Sequence, residues 1–378
     1  MDHFSSMLQW VGVLVLPMVL AGDPNVPPVP EGVNTNYIVF GYNDLGMHCM
    51  NQDFSEMMIL PPYNTLHAQV IKRGGEEPDV VSSGVTIEYN ILNNTTSSNK
   101  TNFWDFAFDL FGVNLAPDVG LTGNGLAGVM VPTGHNDWNA TGIPVTPLDD
   151  DLVLDPYPLA QISVMKNSQE VARTYATVPV SWEISCNLCH ESPGISVATD
   201  ILRKHDLMHG TTLESQKPVV CGSCHAQAPL GTTGSPSLSA ALHGSHAGRM
   251  APLALENDCY ACHPGFETNC QRDIHFTKGI FCVDCHGGMA TVGNPARRPG
   301  RMNPAAANVT SGKSFILSRR ARCTAMPRDT ARFIARPATA APTRLTPAVT
   351  WEDNYQALLL QGTTGVISKC TVCHTSTP

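Results

Sequence analysis

The sequence predicts a mixed fold, in which an antiparallel β-rich, sandwich-like domain precedes a domain of short helices and loops with little regular structure. The first half of the chain repeats short segments of alternating β-branched and aromatic residues, whereas the second half concentrates the cysteines. Gly (31) and Pro (29) are frequent in the 378 residues, which favours short elements joined by many turns. Hydrophobic residues (42 %) suffice for a folded core.

The N-terminus predicts an export signal over residues 1–22. An apolar run from Met7 to Leu20, too short for a membrane-spanning helix, is followed by small residues typical of a cleavage site. The usual positive residues before the run are missing, so an uncleaved anchor or a misassigned start remains an alternative. Residues 23–33 then predict an extended Pro-rich linker. The mature chain is therefore expected to be exported and soluble.

Residues 34–183 predict the β-rich domain. "NYIVFGY", "TLHAQVI", "GVTIEYNI", "AQISVM" and "RTYATVPVSWEI" carry strand-forming residues and are bounded by Gly, Pro, Asn or Asp. Such spacing favours an antiparallel sandwich or barrel. The net charge of −9, without a basic tail, argues against a nucleic-acid partner.

Five C-x-x-C-H motifs dominate residues 184–378. Zinc or dithiol chemistry also uses paired cysteines, but neither needs histidine at the next position, and only 14 histidines occur in the chain. C-x-x-C-H is the attachment motif of c-type haem, in which both thiols form thioethers and the histidine is the proximal iron ligand. The sequence thus predicts five haem c sites: motif 1, Cys186, Cys189 and His190; motif 2, Cys221, Cys224 and His225; motif 3, Cys259, Cys262 and His263; motif 4, Cys282, Cys285 and His286; motif 5, Cys370, Cys373 and His374.

The spacing of these motifs predicts a haem-packed domain. The first four motifs fit into residues 186–286, which leaves little polypeptide between large cofactors. We expect short helices and loops wrapped around the haems, with haem burial and ligation offsetting the conformational entropy that peptide burial alone cannot offset.

The second axial ligand decides between electron transfer and substrate chemistry, because an open iron permits reaction. Five further histidines stand near the motifs and are the distal candidates, although Met208 and Met250 could also serve. A full set would give bis-histidine haems. The candidates are His205, His209, His243, His246 and His275.

His48, in "NDLGMHCMNQDFSEMM", is a further distal candidate for the first haem. The alternative is a packed or hydrogen-bonded side chain, because His48 and Cys49 face opposite sides of an extended strand. His67 and His135 are weaker candidates still.

These motifs give the chain a resemblance to the multihaem c-type cytochromes exported by metal-reducing anaerobic bacteria. The segments that carry it include "YNDLGMHCMNQDFSEMMILPPYNTLHAQV", "PVSWEISCNLCH" and "GVISKCTVCHTS". The resemblance implies electron transport in anaerobic respiration, in the periplasm, at the outer membrane or outside the cell. Other redox proteins are the implied partners, with an outer-membrane or filament complex as a further possibility. Two alternatives remain: an oxidoreductase that reduces a small oxyanion at one open haem, and a conducting structural subunit.

The pattern breaks at residues 318–350. Cys323 stands alone in "RRARCTAMPRDTARFIARP", where periodicity is lost and arginine, alanine and proline dominate. A basic docking loop and a surface linker are two interpretations. The third is a reading-frame error, because a one-base shift after "CTA" can restore Cys-His and hence a sixth haem motif at Cys323.

Overall fold

A computed structural model describes residues 36–74, 77–253, 255, 257–297 and 348–375. The expected signal at 1–22, the linker at 23–33 and the anomalous stretch from 318 to 347, with Cys323, lie outside the described residues. Within the described part the mixed class is confirmed. Antiparallel sheets fill the N-terminal region, and short helices follow.

Short, alternating segments form strands throughout the N-terminal region, as their β-branched and aromatic content predicts. The strands are β1 (Tyr37–Tyr42), β2 (His48–Cys49), β3 (Met57–Met58), β4 (Asn64–Lys72), β5 (Asp79–Val81), β6 (Thr86–Ile91), β7 (Ala127–Val129), β8 (Val131–Pro132), β9 (Trp138–Ile143), β10 (Leu159–Lys166), β11 (Gln169–Thr177) and β12 (Val180–Ser181), with one helix among them, α1 (Phe103–Phe111).

Two antiparallel sheets share one hydrophobic core. One has the order β1-β4-β9-β8, with β5 also paired to β4, and the other has the order β11-β10-β6-β7. Val39 and Leu66 of the first sheet belong to the same buried cluster as Ile162 of the second. The sheets approach closely at Gly41, where an added Cβ would lie 2.6 Å from Cδ1 of Ile162. This core makes the N-terminal region a rigid support for the cysteine-rich half of the chain.

Short helices and turns make up the rest of the described chain. They are α2 (Val197–His209), α3 (Leu238–Met250), α4 (Ile274–Thr277), α5 (Cys282–His286), α6 (Met289–Val292) and α7 (Tyr355–Gln361), with a short strand, β13 (Val219–Val220). Ser196 and Ser237 cap α2 and α3, since each side-chain oxygen accepts a hydrogen bond from a first-turn N–H. None of the helices among the described residues is long and apolar enough to cross a membrane.

Residues 184–297 contribute no buried member to any of the three hydrophobic clusters found in the described chain. Large apolar side chains there are instead exposed: Leu188 is 65 %, Leu207 81 % and Phe266 76 % exposed. A chain that must offset its conformational entropy normally buries such groups. The polypeptide of this region therefore does not form a core of its own.

The C-terminal segment returns to the sheets. Gln356 accepts a hydrogen bond from the backbone N–H of Gly41 at 2.7 Å, and Asp353 accepts one from Thr177 at 2.9 Å. Val372 packs with Ile38 and Phe40. Motif 5 consequently lies against β1 and β4.

Candidate haem-binding site

Each C-x-x-C-H motif folds as a single helical turn. In motif 1 the backbone N–H of His190 donates to the carbonyl of Cys186 at 3.0 Å, and motifs 2, 3 and 5 repeat this bond between histidine and first cysteine at 3.1, 2.8 and 2.9 Å. Motif 4 is the helix α5. The turn brings the third and fourth residues after the first cysteine back to its side. Two thiols and an imidazole are thereby presented together, as covalent haem attachment requires.

Two parallel strand pairs hold motifs 1 and 2 against the N-terminal region. β12 ends five residues before Cys186 and pairs with β2, so that Val180 lies opposite His48. β13 directly precedes Cys221 and pairs with β3, where Val219 lies opposite Met57. The stretch "MHCMNQDFSEMM" thus supplies the edges on which the first two motifs dock. The sequence did not predict this role, because the pairing is long-range and the strands have only two residues each.

Three motif histidines each face a distal candidate. The ring centres of His190 and His246 are 6.3 Å apart, and those of His225 and His205 are 6.5 Å apart. For His263 and His243 the distance is 5.9 Å. Each pair joins one motif to one helix, α2 or α3.

These separations fit two imidazoles on one iron. A histidine nitrogen coordinates a transition metal at about 2 Å, and the ring centre lies roughly 1 Å beyond, so two opposed rings have centres about 6 Å apart. The three observed distances bracket that value. No group of three or more His, Cys, Asp or Glu side chains within the described ranges could hold a metal ion. The arrangement described here is one of histidine pairs.

Hydrogen bonds at Nδ1 fix the orientation of the rings and leave the lone pair on Nε2. Nδ1 of His243 donates to the carbonyl of Ser239, and Nδ1 of His246 to that of Leu242, each at 2.7 Å. Nδ1 of His225 donates to the carbonyl of Pro236 at 2.9 Å. A carbonyl only accepts, so Nδ1 carries the proton and Nε2 keeps its lone pair.

In His205 and His190, Nδ1 is hydrogen-bonded to a side chain instead of a backbone carbonyl. Thr211 donates its hydroxyl proton to Asp206 at 2.6 Å, so its oxygen accepts from Nδ1 of His205 at 2.9 Å. Nδ1 of His190 lies 3.0 Å from Oδ2 of Asp200. Hydrogen bonds from Lys204, and next from Ser192, hold the pKa of Asp200 at about 2. This carboxylate therefore stays ionised and orients His190.

Burial keeps several of these imidazoles neutral, the form that binds metal. It is the largest cause of the lowered pKa values of His190, His205 and His263. Neighbouring histidines lower the pKa of His263 further, through His243 and His286. In these three rings burial therefore favours the neutral form, which binds a metal without losing a proton.

Two helices and one thiol contact set the order of motifs 1 to 4. Helix α2 lies beside motifs 2 and 1, and α3 lies beside motifs 1 and 3. Cys259 and Cys282 are hydrogen-bonded, which raises the pKa of Cys259 and lowers that of Cys282. The spatial order is therefore motif 2, motif 1, motif 3, motif 4.

The remaining candidates are placed differently. His209 lies beside His205, with ring centres 4.7 Å apart, on the exposed side of α2. Nδ1 of His275 lies 2.8 Å from Oδ2 of Asp273, just before motif 4, and His286 contacts Arg297. We assign no histidine pair to motif 4 or motif 5.

In motif 5 the histidine is buried and one cysteine is in a disulfide. His374 is 4 % exposed and lies in a bridge with Gly74. Cys370 is disulfide-bonded, whereas Cys373 is free. Haem attachment at motif 5 thus requires Cys370 in its reduced form.

His48 lies in the core rather than beside a motif. It is 2 % exposed, and its Nε2 donates to the carbonyl of Pro61 at 2.7 Å. Burial lowers its pKa to about 4. This is the packed, hydrogen-bonded arrangement that the sequence left as the alternative to iron ligation.

His67, His135 and the two methionines also lie away from a ligand position. His67 bridges Asp44 and Asp137 at 3.3 and 3.1 Å. His135 is exposed in a turn. Met208 accepts a hydrogen bond from Arg249 at its sulfur, and Met250 is buried at the end of α3.

Comparisons with protein-family models, with curated proteins and with solved structures found no match to this chain. The chemistry of the site is therefore inferred from its own residues.

Proposed function

We propose that this chain is a multihaem c-type cytochrome that carries electrons through closely spaced bis-histidine haems. The observation that carries the proposal is the set of three histidine pairs, His190 with His246, His225 with His205 and His263 with His243, at 5.9 to 6.5 Å. Each pair consists of the histidine of a C-x-x-C-H motif and a histidine that the sequence predicts as the second iron ligand.

The packing of residues 184–297 supports this proposal. Leu188, Leu207 and Phe266 are exposed in this region, which contributes no buried residue to the hydrophobic clusters of the described chain. Haem faces would supply apolar area for these side chains to cover. The haem-packed part of the predicted fold is thus a proposal consistent with the apolar surface that the polypeptide leaves uncovered.

Different residues of the chain would attach haem c, bind its iron and orient the iron ligands. In motif 1, Cys186 and Cys189 would attach the haem, His190 and His246 would bind its iron, and Asp200 would orient the His190 ring. Haem iron supplies one-electron exchange between its ferrous and ferric states, and two histidine ligands favour that over substrate binding. With both rings bound, the iron would have no position left for a substrate.

The order of the motifs describes a conducting row. Helix α2 lies beside motifs 2 and 1, α3 lies beside motifs 1 and 3, and Cys259 of motif 3 is hydrogen-bonded to Cys282 of motif 4. Neighbouring cofactors attached at these points would be close enough for electrons to pass between them. We expect export to the periplasm, outer membrane or cell exterior, anaerobic respiration as the context, and other redox proteins as donor and acceptor.

The proposal is tested by isolating the exported protein from a host with c-type haem maturation. We expect an intact mass that shows covalently attached haem, with low-spin ferric signals in electron paramagnetic resonance. An exported protein whose mass equals that of the bare polypeptide would refute the proposal. Haem attached but with a persistent high-spin iron would favour the oxyanion-reducing alternative over an electron carrier.

A further inference from the structure

Two cysteines outside the motifs come together between the sheets and the haem region. Cys49 is in β2, and Cys270 follows motif 3; both are half-buried. Both thiols are free in this structure. Burial, and next the charge of Cys270, raises the pKa of Cys49. The motifs use neither residue.

The strand register places Cys49 on the face that meets the Cys270 segment. Cys49 and Ser181 are partners in the parallel pair β2–β12, and paired residues point to the same face. The hydroxyl of Ser181 is hydrogen-bonded to that of Thr268 at 2.8 Å. Cys49 therefore faces a segment whose Thr268 is two residues from Cys270.

Further contacts hold that segment in place. The carboxylate of Glu183 accepts backbone hydrogen bonds at 2.8 Å from Phe266 and Thr268. Arg272 donates to the carbonyl of Cys270 at 2.9 Å. Asn269 turns the chain with a φ of 53° in the left-handed region. Cys270 is thus fixed by its neighbours rather than free to move away from Cys49.

We infer that Cys49 and Cys270 form a disulfide that fastens the haem region to the N-terminal sheets. The two S–H bonds break and one S–S bond forms, with the release of two protons. The two electrons pass to a protein dithiol oxidant, which is reduced from disulfide to dithiol. Such oxidants act on exported proteins, so the inference rests on the export part of the proposed function.

The disulfide would also prevent Cys270 from competing with the motif cysteines for haem attachment. Cys282, the first cysteine of motif 4, donates a hydrogen bond at 3.8 Å from its thiol to Oε1 of Gln271, the residue after Cys270. A free third thiol beside an attachment pair could take a vinyl group in place of Cys282. Held by Cys49 as a disulfide, Cys270 cannot react in this way.

The test maps the cysteines of the exported holoprotein. Cells are lysed in an alkylating agent without reductant, and the protein is digested and analysed by mass spectrometry. We expect a linked peptide pair containing Cys49 and Cys270, which disappears after treatment with a phosphine reductant. Alkylation of both cysteines in the holoprotein would overturn the inference.

Variants give a second readout. Cys49→Ser and Cys270→Ser should each lower the thermal midpoint, and the double variant should be no less stable than either single variant. Additive losses would contradict a shared bond. The intact mass of the same sample also counts the attached haems. Free Cys49 and Cys270 in a haem-loaded protein would reject only the disulfide. A Cys49–Cys270 disulfide in a haem-free protein would reject only the proposed function.

Discussion

His243 and His246 stand three residues apart on α3, yet their rings face histidines of two different motifs, His263 and His190. Residues three apart lie on the same side of a helix, so α3 can present both rings to neighbouring sites. Helix α3 thereby contacts both motif 3 and motif 1. Replacing His243 should affect the haem of motif 3, and replacing His246 should affect the haem of motif 1.

Replacing His246 by alanine should open one axial position. We expect one haem to change from low to high spin, because His190 loses the ring that faces it at 6.3 Å. Electron paramagnetic resonance and the visible spectrum would report the change. His135→Ala is the matched control, since His135 is exposed in the β-rich region. An unchanged spectrum in His246→Ala would rule out this pairing.

His205 and His209 offer a direct comparison, because they lie one turn apart on α2. His205→Met should raise the reduction potential of one haem, since a methionine axial ligand favours the ferrous state. His209→Met should leave the potentials unchanged, because it is His205 that faces His225 at 6.5 Å. Spectroelectrochemical titration of both variants would decide; the reverse pattern would transfer the ligand role to His209.

Asp200→Asn should raise the potential of the haem at motif 1. The ionised carboxylate beside Nδ1 of His190 increases the ring's electron donation and favours ferric iron. A shift of about 59 mV corresponds to each tenfold change in the relative stability of the two oxidation states. Asp206→Asn, next to His205, makes a useful comparison, because it should alter a different haem.

Arg272 and Asp353 form a fully buried ion pair that joins the motif 3–motif 4 connection to the C-terminal segment. Removing one partner, as in Asp353→Asn, should cost about 3–5 kcal/mol of unfolding free energy, because the guanidinium is left without its counter-ion. The double variant Arg272→Met with Asp353→Leu should recover much of that loss. Denaturant unfolding of the three proteins tests this; equal losses in single and double variants would contradict it.

The stability of the β-rich region should depend on pH through His67. Burial opposes protonation, but hydrogen bonds with Asp44 and Asp137 outweigh it and raise the pKa of His67. Its stabilisation is then complete below the unfolded value of about 6.5 and is lost as pH rises through the raised folded pKa. The hydrogen bond from His67 lowers the pKa of Asp44 to about 2, so that its contribution is present above about pH 3.9 and lost on acidification.

His67→Phe should therefore destabilise the protein most between about pH 4 and 6.5, and much less at about pH 9. His135→Phe supplies the control, with no such window. Thermal unfolding across this range would measure both. A pH-independent difference would mean that His67 contributes through packing on Tyr42 rather than through charge.

The sequence predicted the fold further than it predicted the site. Strand alternation predicted the β-rich region, because period-two patterning is local and survives in any context. It did not predict the parallel pairs that join β2 and β3 to the segments before motifs 1 and 2, since their two-residue strands leave no period to detect. The orienting role of Asp200 also escaped, because nothing local connects it to His190.

The sequence by itself determined the local shape of the motifs, since two thiols and a histidine in five consecutive positions form one helical turn in motifs 1, 2, 3 and 5. It also nominated the distal histidines as a set. Only the tertiary structure decided which of them faces which motif. His190 faces His246 on α3, although His205 and His209 are nearer to it in the sequence. Contacts between segments distant in the chain, such as that of Gly244 in α3 with Gly293, position these rings, and no local pattern encodes them.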